Sequence, residues 1–181
     1  MMARGIVATG GRSTRLGVDK ATILLQGGET IAQRGVRLLR EVCDDVVEVG
    51  PGFTDARCIR EVPVGGGPVA ALLAGSDMQT PVVLLACDYP RMTVDVLGRL
   101  ARHAGDSLVP IIHEQPQFVV AMYGERAMAV LRESFERGDR SFWSLDLDAL
   151  GARGSGFDPE AFLDIDTPSD LAAFRSQEAE R

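Results

Sequence analysis

Short, continuous apolar runs alternate along this chain with stretches in which apolar residues recur at every third or fourth position. Ile6-Val7-Ala8 opens the pattern and leads into a glycine-rich stretch, Gly10 to Gly17. Ile31, Gly35, Leu38, Leu39 and Val42 then keep the spacing of an amphipathic helix. Asp45 to Val49 predicts a short strand, and Cys58-Ile59 another. Pro68 to Met78 predicts a buried helix, with proline in the first turn, where its missing N–H costs nothing. Pro81 to Cys87 is apolar throughout, the pattern of a parallel strand covered on both faces. Thr93 to Ala104 and Ala127 to Phe135 predict helices, and Leu108 to Ile112 and Phe118 to Tyr123 predict strands. Phe162 to Asp166 predicts a last short strand. Thr167-Pro168-Ser169-Asp170 then opens a final helix, with a threonine cap, proline first and an acid three residues after the cap.

Strands alternating with helices specify an α/β fold: three layers, a mostly parallel central sheet with helices on both faces. No linker, repeat or low-complexity block interrupts residues 1–181, which predicts one domain. With 45% hydrophobic and 25% charged residues the chain has the composition of a soluble globular protein. No apolar run reaches the roughly 18 residues of a membrane span, and Met1 to Gly5 lacks an export signal. Cys43, Cys58 and Cys87 are odd in number and lack C-x-x-C spacing, which argues against a disulfide framework or zinc site and for a cytoplasmic setting. The net charge of −7 gives no sign of a nucleic-acid-binding face. An anion would therefore need a local cationic pocket.

In such folds ligands sit outside the carboxyl ends of the strands. The first candidate is Ala8-Thr9-Gly10-Gly11-Arg12-Ser13-Thr14-Arg15-Leu16-Gly17-Val18-Asp19-Lys20. Glycines directly after a buried strand let backbone N–H groups approach a phosphate, and Arg12, Arg15 and Lys20 add three cations. The spacing fits neither a Walker A loop nor a dinucleotide G-x-G-x-x-G, and an ordinary βα turn with solvated basic residues is the plain alternative. The second is Cys87-Asp88-Tyr89-Pro90, where a carboxylate at a strand end suits Mg²⁺ held together with substrate phosphates, or simply caps a turn. The third is Asp164-Ile165-Asp166, two acids that point the same way on a strand: both could face one metal, one could face the site while the other caps, or both simply favour the following helix terminus. Gly65-Gly66-Gly67-Pro68 would let a planar base lie on the backbone, or is a connector. Asp146-Leu147-Asp148 reads as surface acids.

Taken together, these segments resemble the molybdenum cofactor guanylyltransferases, small nucleotidyltransferases that attach GMP to molybdopterin. The resemblance rests on Gly10-Gly11-x-Ser13-x-Arg15-Leu16-Gly17-x-Asp19-Lys20, then Gly67-Pro68-Val69-Ala70, Cys87-Asp88-Tyr89-Pro90, Gln115-Pro116 and Asp164-Ile165-Asp166-Thr167-Pro168-Ser169-Asp170-Leu171. It covers nearly the whole chain. It implies a Rossmann-like nucleotidyltransferase fold, nucleotide contacts from Ala8, Thr9, Gly10, Gly11, Lys20, Glu61, Gly67, Pro68 and Asp88, and catalysis by Arg15, Lys20 and Asp88. Asp88 and Asp166 would ligate Mg²⁺. GTP and molybdopterin are the implied substrates, with a molybdopterin-delivering protein or a recipient apoenzyme as implied partners. Some positions depart from the family's pattern. Thr9 puts a hydroxyl near the base or ribose, Glu61 replaces an aspartate, Asp164 and Asp166 replace asparagines, and Val47-Glu48-Val49-Gly50 lacks an asparagine common after the second strand. A nucleotidyltransferase for another base or acceptor, or a non-catalytic nucleotide-binding homologue, stands as the alternative.

Overall fold

The structure, a computed structural model, describes residues 3–11 and 16–179. In chain order its elements are β1 (Arg4–Ala8), α1 (Ile31–Arg40), β2 (Asp45–Val49), β3 (Arg57–Ile59), α2 (Pro68–Gly75), β4 (Val82–Ala86), α3 (Val94–Ala101), β5 (Val109–Ile112), β6 (Gln115–Pro116), β7 (Val120–Tyr123), α4 (Glu125–Glu136), β8 (Arg153–Gly154) and α5 (Pro168–Ala179). Five strands form the central sheet in the order β3-β2-β1-β4-β7. All its pairings are parallel except β4 with β7, which is antiparallel.

The apolar runs explain this sheet, because alternate residues of each strand enter opposite cores. Val7, Val83, Leu85, Val120 and Met122 face one core, with α1, α3 and Phe174 of α5. Ile6, Val82, Leu84, Ala121 and Tyr123 face the other, with α2 and α4. Helices therefore cover both faces, as the three-layer expectation requires. Helix α1 begins in a capping box, Thr30 accepting from the Gln33 N–H at 3.2 Å while the Gln33 side chain accepts from the Thr30 N–H at 2.8 Å. Helix α2 starts at Pro68 behind Gly67, whose φ of 84° admits a glycine far more readily than any other residue.

Several expectations needed revision. The helix predicted to reach Met78 ends at Gly75, where Ser76 turns extended. Thr93 is the cap of α3 rather than part of it. The strand predicted from Phe118 starts at Val120 and runs antiparallel. Leu108 to Ile112 does form a strand, but in a second, three-stranded sheet ordered β6-β5-β8 that the pattern did not foretell. Phe162 to Asp166 forms no strand. A 3₁₀ turn spans Pro159–Phe162, capped by the Asp158 side chain at 3.0 Å from the Glu160 N–H, and the chain then runs on irregularly into α5. The cap of that last helix is as expected: Thr167 Oγ1 accepts from the Asp170 N–H at 3.2 Å, and the Asp170 carboxylate accepts from the Thr167 N–H at 2.7 Å.

Candidate active site

Register brings the carboxyl ends of three strands level, with Ala8 opposite both Val49 and Ala86. The ladder continues one step past β1, through Thr9 N–H to Val49 O at 2.9 Å and Cys87 N–H to Ala8 O at 3.2 Å. Beyond this edge lies a cavity of about 210 Å³. Ala8, Thr9, Gly10, Gly11, Lys20, Glu61, Gly67, Pro68 and Asp88 all line it. Residues separated by up to eighty positions in sequence thus share one space, because β1 and β4 are neighbours and α2 starts beside them. Arg15, with Arg12 to Thr14, lies outside the described residues.

The electrostatics of this edge centre on Lys20. Asp19 caps a 3₁₀ turn over Lys20–Thr22, its carboxylate accepting from the Ala21 N–H at 3.1 Å, and this turn aims Lys20 at the sheet edge. The Lys20 ammonium pairs with Asp88 at 3.0 Å and also donates to Asp166 Oδ1. Burial opposes the ammonium charge, but the hydrogen bonds to Asp166 and Asp88 outweigh it and hold the Lys20 pKa above the ordinary lysine value. Asp166 reaches the site because the Ile165 N–H donates to the Asp88 carbonyl at 3.0 Å, fastening the irregular segment to the end of β4. The strand that the two-acid argument assumed does not form, and Asp166 is delivered by an irregular segment held through Ile165 to Asp88 and through the Asp166 N–H to the Asp170 carboxylate at 3.1 Å. The Asp164 side chain is exposed from this irregular segment, its carboxyl pKa raised by partial burial and by the charge of Asp166.

Asp88 and Asp166 keep 39% and 46% of their side chains exposed, so their oxygens remain reachable from solvent. Both already address one cation, the Lys20 ammonium, so the pair suits a hard divalent ion such as Mg²⁺. Among the described residues no three His, Cys, Asp or Glu side chains converge on a metal-sized point. A metal here would complete its shell with water and substrate phosphates, the usual manner of Mg²⁺.

Also lining the cavity, Glu61 is 6% exposed and its Oε1 accepts from the Gly65 N–H at 2.7 Å. Gly10 lies against it: a β-carbon on Gly10 would stand 3.2 Å from Glu61 Oε1. Thr9 differs from expectation. Its hydroxyl donates to Glu48 Oε1 at 2.7 Å, so it is directed into the protein rather than towards a ligand. Glu48 is wholly buried and also accepts from the N–H groups of Gly52, Phe53 and Thr54 at 2.8–3.0 Å. Sequence reasoning missed Glu48, although a carboxylate inside an otherwise apolar strand was the available signal. Arg34 was missed as well. It donates to the carbonyls of Pro90 and Met92, both at 3.1 Å, and so braces the loop that carries Asp88. Cys87, also on the cavity wall, is buried, which raises its thiol pKa well above the usual value and leaves it no nucleophile. Asp146 and Asp148 lie away from the cavity, Asp146 capping its own turn and Asp148 paired with Arg153 at 2.5 Å.

A profile of the MobA-like NTP transferase domain matches residues 5–150. The chain belongs to this family. As a MobA-like NTP transferase it is 34% identical to a probable molybdenum cofactor guanylyltransferase of Chloroflexus aggregans, an alignment covering 94% of this chain and 92% of that one. It is 28% identical to the molybdenum cofactor guanylyltransferase of Vibrio vulnificus, covering 96% and 95%. The fold matches that of the molybdopterin-guanine dinucleotide biosynthesis protein A of Archaeoglobus fulgidus with a TM-score of 0.79 at 22% identity, covering 98% of this chain and all of the other. Among the described residues of this MobA-like protein no helix is long and apolar enough to cross a membrane.

Proposed function

We propose that this protein transfers GMP from GTP to the terminal phosphate of molybdopterin and releases pyrophosphate. The observation that carries the reading is the mixed lining of the cavity. Lys20 and Asp88 line it, and Asp166 pairs with the same ammonium, which together are the charges that a triphosphate and its cation require. The same cavity is lined by glycine backbone and the buried carboxylate of Glu61. The names of the relatives support the choice of guanine and of a molybdopterin acceptor.

Guanine presents two adjacent N–H donors on its pairing edge, N1–H and the N2 amino group. The Glu61 carboxylate accepts hydrogen bonds only, and the Gly65 N–H uses part of its capacity. It therefore fits guanine and disfavours cytosine, whose N3 and O2 would oppose it. Gly10 and Gly67 leave room for the base to lie along backbone.

The chemistry is displacement at phosphorus. A phosphate oxygen of molybdopterin attacks the α-phosphorus of GTP in line. A new P–O bond forms, the α–β bridging P–O bond breaks, and pyrophosphate carries away the electron pair. The nucleophile is already anionic near neutral pH, so no general base is needed. Neither His103 nor His113 lines the cavity, consistent with that requirement. Lys20 would exchange its carboxylate partners for phosphate oxygens, while Asp88 and Asp166 would hold Mg²⁺. When bound, that ion supplies neutralisation of the charge growing on the leaving pyrophosphate. Catalysis is then positioning with charge stabilisation. Arg15 belongs to the same proposal on the strength of its place in the motif.

The test is incubation of the protein with Mg²⁺, molybdopterin and each of ATP, GTP, CTP and UTP, followed by product mass. A GMP adduct with GTP alone is expected. A CMP adduct would overturn the assignment of the base, and no adduct with any nucleotide would overturn the reaction.

A further inference from the structure

Asp88 stands on the turn that leaves β4, and three contacts fix that turn. Two are made by backbone: the Cys87 N–H donates to the Ala8 carbonyl at 3.2 Å, and the Ile165 N–H donates to the Asp88 carbonyl at 3.0 Å. The third is made by Arg34, whose Nε donates to the Pro90 carbonyl and whose Nη2 donates to the Met92 carbonyl, both at 3.1 Å. Among the described residues no other side chain is bonded to the backbone of residues 87–92. A planar guanidinium that meets two carbonyls at once fixes their separation as well as their direction, which a single donor does not.

The local sequence explains how Arg34 comes to this place. It sits on α1, a helix started by the Thr30–Gln33 capping box and anchored by the buried Ile31, Val36 and Leu39. Its neighbour Gly35 has no side chain, and a β-carbon there would stand 3.4 Å from Leu85 of β4 and 3.5 Å from Val7 of β1. Helix α1 therefore lies close over these strands, which carries Arg34 to the turn after β4. Glu29 flanks the guanidinium, with 3.6 Å between Oε1 and Nη1. Arg34 does not line the nucleotide cavity, so it reaches Asp88 only through the turn.

We infer that Arg34 is a positioning residue for the transfer reaction: its grip on the turn after β4 holds the Asp88 carboxylate where the Lys20 ammonium and a divalent cation meet it. This role rests on the function proposed above and adds to it a residue outside the cavity. Among the described residues the Asp88 carboxylate is bonded to Lys20 alone, and 39% of its side chain is exposed. Once Lys20 turns to a phosphate, no side-chain bond directs Asp88, and the backbone of its turn decides where the oxygens stand. Displacement of a reacting group by about 1 Å, caused by a change away from the chemistry, can cost about a hundredfold in rate.

The test compares Arg34→Ala and Arg34→Lys with a control, Arg37→Ala, which removes an arginine from the exposed side of the same helix. Arg37 bonds to Glu29 and Glu41 and not to the turn. Arg34→Ala is expected to lower kcat for GMP transfer about tenfold to a hundredfold, with the KM for GTP within about twofold of wild type. Arg34→Lys supplies a cation without the fork, so it should restore the melting temperature while recovering only part of kcat. Mn²⁺ alone, titrated into the protein and counted as free ion by paramagnetic resonance, should bind several-fold more weakly to both Arg34 variants and as in wild type to Arg37→Ala. Should Arg34→Ala fail to fold, Arg34→Lys carries both readings. A kcat that recovers in step with the melting temperature, with Mn²⁺ binding unchanged, would make Arg34 a staple of the fold and overturn the positioning role while leaving the transfer reaction standing. A wild type that forms no GMP adduct would overturn the reaction, whereas weaker Mn²⁺ binding by the Arg34 variants would still support the hold of Arg34 on Asp88.

Discussion

The Thr9 hydroxyl donates to Oε1 of the buried Glu48 at 2.7 Å, and this bond ties the cavity-facing end of β1 to the loop that follows β2. Glu48 in turn collects the N–H groups of Gly52, Phe53 and Thr54 and the Thr54 hydroxyl, so one carboxylate folds a whole turn around itself. Gly50 is part of the same arrangement. Its φ of 152° brings it so near Thr9 that any β-carbon would collide with the hydroxyl. The Thr9 side chain is thus a strut beneath the glycines, while the residue still lines the cavity.

Removing either partner should therefore act first on stability. Thr9→Val keeps the volume and deletes one hydrogen bond to a charged group, an expected cost of about 1.5–3 kcal/mol. Glu48→Ala leaves the buried Thr9 hydroxyl and several part-buried N–H groups without their acceptor and should cost about 3 kcal/mol or more. Urea denaturation of the two variants against wild type measures both values. Equal, negligible costs would show that solvent can replace Glu48.

The same carboxylate predicts a dependence on acid. Burial raises the pKa of Glu48, but the hydrogen bonds from Thr9, Phe53 and Thr54 outweigh it, so its folded pKa lies below the ordinary 4.5. For a depressed carboxylate the stabilisation is fully present above the unfolded value and is lost as pH falls through the folded value. The stability gap between wild type and Glu48→Gln should therefore be widest near about pH 6 and narrow towards about pH 3. A gap independent of pH would show that Glu48 is uncharged in the fold.

Much of this architecture is legible in the sequence, for identifiable reasons. β1 and β4 announce themselves as apolar runs because both faces of each are buried, and the residues just after them form the site because the sheet is parallel there. Gly10, Gly11, Lys20, Gly67 and Asp88 were therefore locatable before any coordinates. What escaped prediction depends on long-range contacts. Whether β7 runs parallel or antiparallel is set by the excursion through β5 and β6, which has no local periodicity. Asp166 is placed by a bond from Ile165 to Asp88, seventy-seven residues away in sequence, and no strand pattern encodes that. An aromatic column beneath Trp143 joins Phe118, Tyr123 and Phe142, distant or separately folded in sequence, and no local pattern encodes it.

Charge at the transfer edge should be indispensable. Lys20→Ala and Asp88→Asn are each expected to lower kcat by about 10²- to 10³-fold, the effect of removing one preorganised electrostatic group. Asp166→Asn should instead raise the Mg²⁺ concentration needed for half-maximal rate, because its oxygen ligand is weakened rather than removed. Steady-state rates across a Mg²⁺ titration separate these outcomes, with circular dichroism to establish that each variant is folded. Near-full turnover by both Lys20→Ala and Asp88→Asn would sink the site assignment.

Base choice should depend on Glu61 and on the space that Gly10 leaves beside it. Glu61→Gln replaces one acceptor oxygen by a donor, which faces the N–H edge of guanine unfavourably. A hydrogen bond to a charged group is worth about 1.5–3 kcal/mol, so the KM for GTP should rise about tenfold to a hundredfold. The preference for GTP over CTP should fall by a similar factor. Gly10→Ala tests the same geometry without altering any charge. Its new methyl group would lie 3.2 Å from Glu61 Oε1, tight enough to displace the carboxylate slightly, and Gly10 does not lie in the left-handed region, so the backbone tolerates the change. The expected result is a native melting curve with weaker GTP binding and unchanged affinity for pyrophosphate, which carries no base. If Gly10→Ala and Glu61→Gln both bind GTP as the wild type does, the base lies elsewhere than on this wall.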